Sequence, residues 1–124
     1  MGMSGMYGHA DERESIATIH AALDRGMTLL DTGDFYGAGH NEMLIGRALQ
    51  DRRDKALLSV KFGALRGPDA SWLGADMRPA AVKNFLAYSL TRLGVDHVEE
   101  AVPASAVAGT RYDKHQMQML DSER

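Results

Sequence analysis

The chain contains no cysteine. Disulfides, thiolate nucleophiles and cysteine-based metal sites are therefore excluded, and the absence fits a cytoplasmic setting. Long apolar runs are missing as well. None approaches the ~18 residues that a membrane span needs, so no membrane partner is expected. The opening MGMSGMYGHADERE has neither the basic nor the apolar region of a secretory signal. An excess of charge of one sign is also lacking. The net charge is −3 and the sequence pI is about 5.9, which gives no electrostatic reason to expect nucleic acid as a partner. The five histidines form no HExxH or other close ligand pair, so no metal site is expected.

What remains is an ordinary globular composition, 44% hydrophobic and 25% charged, with an alternating pattern. Asp11 followed by Glu14 has the form of a capping box. Ile16, Ile19 and Leu23 then recur at helical spacing until Gly26. Met27-Thr28-Leu29-Leu30, closed by Asp31, is too short for a helix and predicts a buried parallel strand. A glycine-bearing loop follows, and Asn41 opens a second helix through Met43, Leu44, Ile45, Ala48 and Leu49. Arg52, Arg53 and Lys55 read as its solvated end.

Residues 56–60 predict a second buried strand, ending at Lys61. A long loop runs from Phe62 to about Met77 and holds Trp72. It is followed by a helix with Pro79 in its first turn, Val82, Phe85, Leu86 and Leu90 facing inward, and Gly94 as the stop. Such alternation implies parallel strands with helical crossovers, an α/β fold. Beyond Asp96 the pattern weakens. Adjacent Glu99 and Glu100 make a poor buried strand, residues 96–101 read as a possible helix start, and the end of the chain reads as a poorly packed tail.

Both strands end in charge, Asp31 and Lys61, at the edge where α/β folds build active sites. Neighbouring strands lie about 4.8 Å apart, so the two side chains can pair. Tyr36, five residues past Asp31, can fold back toward both. A lysine cation near a phenol lowers its pKa from ~10 and makes it a tunable acid for a carbonyl oxygen. The alternative is a structural Asp–Lys pair beside a surface tyrosine, since ion-pair networks also perturb pKa values.

The segments LLDTGDFYGAGHNEMLIGRAL, LLSVKFG and KNFLAYSLTRLGVD, in this order, resemble the aldo-keto reductase signatures over residues 1 to about 96. The resemblance implies a (β/α)8 TIM-type barrel, here represented by about two to three βα units. It implies NADPH-dependent reduction of an aldehyde or ketone, with Tyr36 as general acid, Lys61 as its activator, and Asp31 as the lysine's partner lying near the cofactor ribose. The family's fourth catalytic residue is a histidine just past the next strand. His97 stands ahead of such a position and is not given that role.

Residues 97–124 resemble the extreme C-terminal segment of a reductase in this family, as though the middle of the barrel were missing. Met1-Gly2-Met3-Ser4 matches only the end of the family's first strand. Gly109-Thr110-Arg111 echoes a phosphate-binding GTR, an echo read as coincidence. A complete barrel needs about 250 residues. The expectation is therefore a truncated reductase, inactive or impaired by itself. Leu29, Leu57 and Ser59 should form a bare inner face with open sheet edges, and these predict self-association. The alternative function is a non-catalytic interaction protein built from a barrel fragment.

Overall fold

The computed structural model describes Met3 and residues 11–104. The expected tail and the GTR echo lie outside the described residues. Helix α1 (Glu12–Asp24) starts as its sequence dictates: the Asp11 carboxylate accepts the Glu14 N–H at 3.0 Å, satisfying one of the orphan donors of the first turn. It ends where Gly26 takes a φ of +85°. Strand β1 (Leu29–Gly33) leads through a 3-10 turn (Tyr36–Gly39) into α2 (His40–Ala48). Strand β2 (Leu57–Phe62) runs parallel to β1, with Asp31 opposite Ser59 and Gly33 opposite Lys61. Helix α3 (Pro79–Leu93) begins on proline and stops at Gly94, φ +67°.

Two elements differ from the sequence reading. The expected loop after β2 contains an antiparallel hairpin of β3 (Ala64–Arg66) and β4 (Trp72–Ala75). Residues Glu100–Pro103 are a strand, β5, parallel to β2, so the sheet has the order β1-β2-β5. Taken by themselves, two adjacent glutamates make a poor buried strand. The structure gives each of them a partner. Glu99 Oε2 accepts the Leu58 N–H at 2.6 Å and its carboxylate pairs with Arg53 at 2.9 Å. Glu100 Oε2 accepts the Ser59 hydroxyl at 2.8 Å. Arg53, read as a solvated helix end, also donates to Ala56 O and His97 O, so it ties the start of β2 to the approach of β5.

The core lies between one sheet face and the helices. Leu30, Leu58 and Val60 pack with Ile19, Leu23, Ile45, Ala48, Leu49 and Leu93. His20 Nε2 donates to Ala48 O at 2.8 Å and links α1 to α2. The opposite sheet face is uncovered: Leu29 is 58% and Leu57 47% exposed. The bare inner face expected at Leu29 and Leu57 is there, whereas Ser59 on the same face is buried. Side chains alternate across a strand, and here the helices cover one of the two faces. Among the described residues, no helix is long and apolar enough to cross a membrane.

Candidate active site

Asp31, Gly33, Ser59 and Lys61 share the uncovered face, because parallel pairing at this register puts alternate residues of both strands on the same side. The Lys61 ammonium donates to Asp31 Oδ2. The lysine side chain is 15% exposed and the aspartate 49%, so the pair is anchored in the sheet on one side and reachable from the inner face on the other. Tyr36 follows a tight exit from β1. A methyl group placed on Gly33 would meet Tyr36 Cε2 at 3.2 Å, Lys61 Cβ at 3.3 Å and Phe35 Cε1 at 3.1 Å. The phenol ring and the lysine stem thus flank one glycine, and a Cβ between them would make a neighbour give by a few tenths of an ångström.

The three residues singled out from sequence are therefore brought together at the C-terminal end of the parallel strands. Tyr36 is buried, its ring centroid 4.5 Å from that of Phe35. Phe35 meets Trp72 of the hairpin edge-on at 6.3 Å. Trp72 itself is exposed, so the hairpin sets an aromatic wall beside the turn that carries Tyr36. Phe35, Tyr36, Ala64 and Ala104 form a small second cluster of buried apolar groups.

His97 lies at the other end of the sheet, among residues preceding β5, where its carbonyl accepts from Arg53. The residue immediately past β5 is Ala104. No group of three or more His, Asp or Glu side chains among the described residues is arranged to hold a metal ion.

Other polar residues behind the site escaped the sequence reading. The Thr32 hydroxyl donates to Asn41 Oδ1 at 2.6 Å, both residues fully buried, locking the end of β1 to the start of α2. Glu42 is fully buried and receives the Arg92 guanidinium from α3. Asp34 sits just past β1, and burial pushes its carboxyl up to about 6, with the Glu42 charge acting in the same direction. The signal for these was present as polar residues in apolar surroundings, but without partners in view each had the look of a loop or surface position.

Comparison with known proteins agrees with the fold. The model of the aldo/keto reductase family matches residues 1–121. The chain is similar to the aldo-keto reductase yakc [NADP(+)] of Schizosaccharomyces pombe, 37% identical over 101 residues, covering 80% of this chain and 30% of that protein. It is similar to the probable aldo-keto reductase 1 of Glycine max, 38% identical over 103 residues, covering 80% and 29%. Among solved structures, the holo form of aldo-keto reductase AKR11C1 from Bacillus halodurans superposes with a TM-score of 0.68 at 32% identity, over 75% of this chain and 31% of that one. An aldo-keto reductase from Klebsiella pneumoniae in complex with NADPH gives 0.66 at 26% identity, over 98% and 40%. The chain thus spans about 30% of the length of the curated relatives it matches. With the family model matching nearly its whole length and the parallel βα units in place, the chain belongs to the aldo/keto reductase family.

Proposed function

We propose that this chain carries the proton-donating half of an NADPH-dependent carbonyl reduction site, built from Asp31, Tyr36 and Lys61. The observation that carries the reading is the Lys61–Asp31 pair on the uncovered sheet face with the Tyr36 ring across Gly33. Asp31 holds the lysine, and the lysine cation favours the phenolate form of Tyr36. Tyr36 then acts as an acid able to give up its proton to a carbonyl oxygen and take it back from an alcohol.

The residues present suit a nicotinamide cofactor on one side. The half-exposed Asp31 carboxylate faces the open inner side of the sheet, where it would meet the cofactor ribose. NADPH, when bound, supplies hydride to the carbonyl carbon, while the proton on oxygen comes from Tyr36. The substrate is a small aldehyde or ketone. A cytoplasmic setting goes with the cysteine-free sequence.

As these 124 residues alone, the chain is expected to reduce carbonyls poorly or not at all. Ala104 stands immediately past β5, where the resemblance calls for a histidine, and an alanine can neither orient a carbonyl oxygen nor share its proton. Titration of the purified chain with NADPH, read by cofactor fluorescence, tests the reading. Micromolar binding that Lys61→Met weakens supports it. Absence of any binding at millimolar cofactor removes it.

A second reading is favoured by the uncovered apolar side chains of β1 and β2. Leu29 and Leu57 present apolar surface on the inner face, and among the described residues β1 and β5 each have a single neighbour in the sheet. Such a face invites another chain, which gives a non-catalytic, self-associating protein. Gel filtration over a hundredfold range of loading concentration distinguishes it: a mass that stays monomeric throughout refutes self-association.

A further inference from the structure

The first residue past β1 is Asp34, and the first past β2 is Gly63. The Asp34 N–H donates to Lys61 O at 3.0 Å, carrying the parallel ladder one step beyond Gly33. Bonds in a parallel ladder alternate evenly between the two strands. The next donor is therefore the Gly63 N–H, and its regular acceptor would be the main-chain carbonyl of residue 34. Here the Asp34 side chain accepts instead, through Oδ2 at 3.3 Å.

Because a carboxylate substitutes for the carbonyl, the backbone is released from the sheet at this point. Phe35 turns into the helical region, φ −90° and ψ −14°. Tyr36 then starts the 3-10 turn. Gly63 takes a φ of +95°, which suits glycine as β2 gives way to the hairpin.

We propose that Asp34 is a positioning residue, a clasp that joins the ends of β1 and β2 on either side of Lys61 and so sets the Tyr36 ring against the lysine. The proposal rests on the reading of Tyr36 as an acid and Lys61 as its activator, and it adds the group that keeps their spacing. Asp34 Oδ1 is buried with no hydrogen-bond partner among the described residues, unlike the carboxylate of a solvated turn. Burial raises the carboxyl toward neutrality. Of the charged groups facing it, Glu42 on α2 adds to that effect and Arg92 on α3 opposes it. Acidification through about pH 6 therefore neutralises the clasp acceptor and weakens its hold on the Gly63 N–H.

The test uses the full chain without cofactor, labelled with nitrogen-15 and with carbon-13 in tyrosine rings, with the Tyr36 signals assigned through Tyr36→Phe. In the wild type the Gly63 amide resonance moves with a single inflection near pH 6, and the Tyr36 ring resonances follow it. Asp34→Asn keeps an oxygen acceptor: the inflection disappears, while the Tyr36 resonances and the slow exchange of the Gly63 amide are retained. Asp34→Ala exchanges that amide about tenfold faster, the effect of losing one hydrogen bond, and displaces the Tyr36 signals. A Gly63 amide insensitive to pH in the wild type overturns the clasp, and so do Tyr36 signals identical in all three proteins. Because none of these readouts involves turnover, a chain that bound no NADPH but showed them would refute the reductase reading and still uphold the clasp.

Discussion

Gly46 lies in the middle of α2, where glycine is a poor choice by helix propensity alone: replacing it with alanine should add about 1 kcal/mol of stability in an exposed helix. The structure predicts the opposite sign. A Cβ at this position would stand 2.8 Å from Leu93 O, 2.9 Å from Arg92 O and 3.1 Å from Leu93 C. All three are main-chain atoms at the C-terminal end of α3, and none can swing aside as a side chain would. Relief requires α2 and α3 to separate by several tenths of an ångström. That loosens the packing of Ile45, Leu49 and Leu93 and pulls the Arg92 guanidinium away from the fully buried Glu42 carboxylate.

Overpacking of this kind costs about 1–3 kcal/mol, and strain on a buried ion pair adds to it. Set against the propensity gain of about 1 kcal/mol, the overpacking alone leaves a net loss of up to about 2 kcal/mol for Gly46→Ala, and the strained ion pair adds to it. For a chain of 124 residues each kcal/mol moves the melting temperature by roughly 3–6 °C. Thermal and urea unfolding followed by circular dichroism measure it directly. A variant as stable as the parent, or more so, would falsify the claim that α2 touches the α3 backbone at Gly46.

Three further outcomes follow from particular contacts. Asp11→Ala removes the N-cap acceptor for the Glu14 N–H and should cost about 1 kcal/mol in urea unfolding; no change would mean that α1 does not begin there. Asp34 has a carboxyl raised to about 6 from 3.8, so the fold favours its neutral form, and its ionisation costs stability as pH rises from 3.8 to about 6. Asp34→Asn should match the wild type below pH 4 and exceed it by about 1–2 kcal/mol at pH 7, the full ~3 kcal/mol of the shift being reduced by partial solvent screening. Unfolding midpoints measured across that range test it, and a variant that gains most at low pH contradicts the sign. Glu99→Ala takes away the acceptor of the Leu58 N–H and the partner of Arg53. Amide exchange along β5 and at Leu58 should then quicken by about tenfold or more, and unchanged protection would show that β5 is held by other means.

Much of the framework was legible in the amino-acid order. Capping at Asp11, the glycine stop at Gly26, proline at the head of α3 and the stop at Gly94 are local signals, set by the hydrogen-bonding and dihedral preferences of single residues, and each stands where the sequence put it. The βα alternation was readable for the same reason. The candidate residues Asp31, Tyr36 and Lys61 could be named because strand ends and a glycine-bearing turn mark the edge of a parallel sheet, and the structure gathers them there.

What sequence order could not provide was partnership across the fold. Glu99 and Glu100 spoke against a strand until Arg53, the Leu58 amide and the Ser59 hydroxyl, some forty residues away, were seen to meet them. Met27 reads as part of a buried strand because it is apolar, yet it is exposed, and Ser59, expected on the bare face, is buried, since burial depends on what lies opposite a face and not on the side chain alone. Gly46, Asp34 and the Glu42–Arg92 pair likewise acquire meaning only from a neighbouring helix or strand end. Local preferences decide which elements form and where they stop, but the free energy of a buried charge, an uncovered face or a close helix contact is set by groups distant in the chain, and the tertiary structure alone brings those groups together.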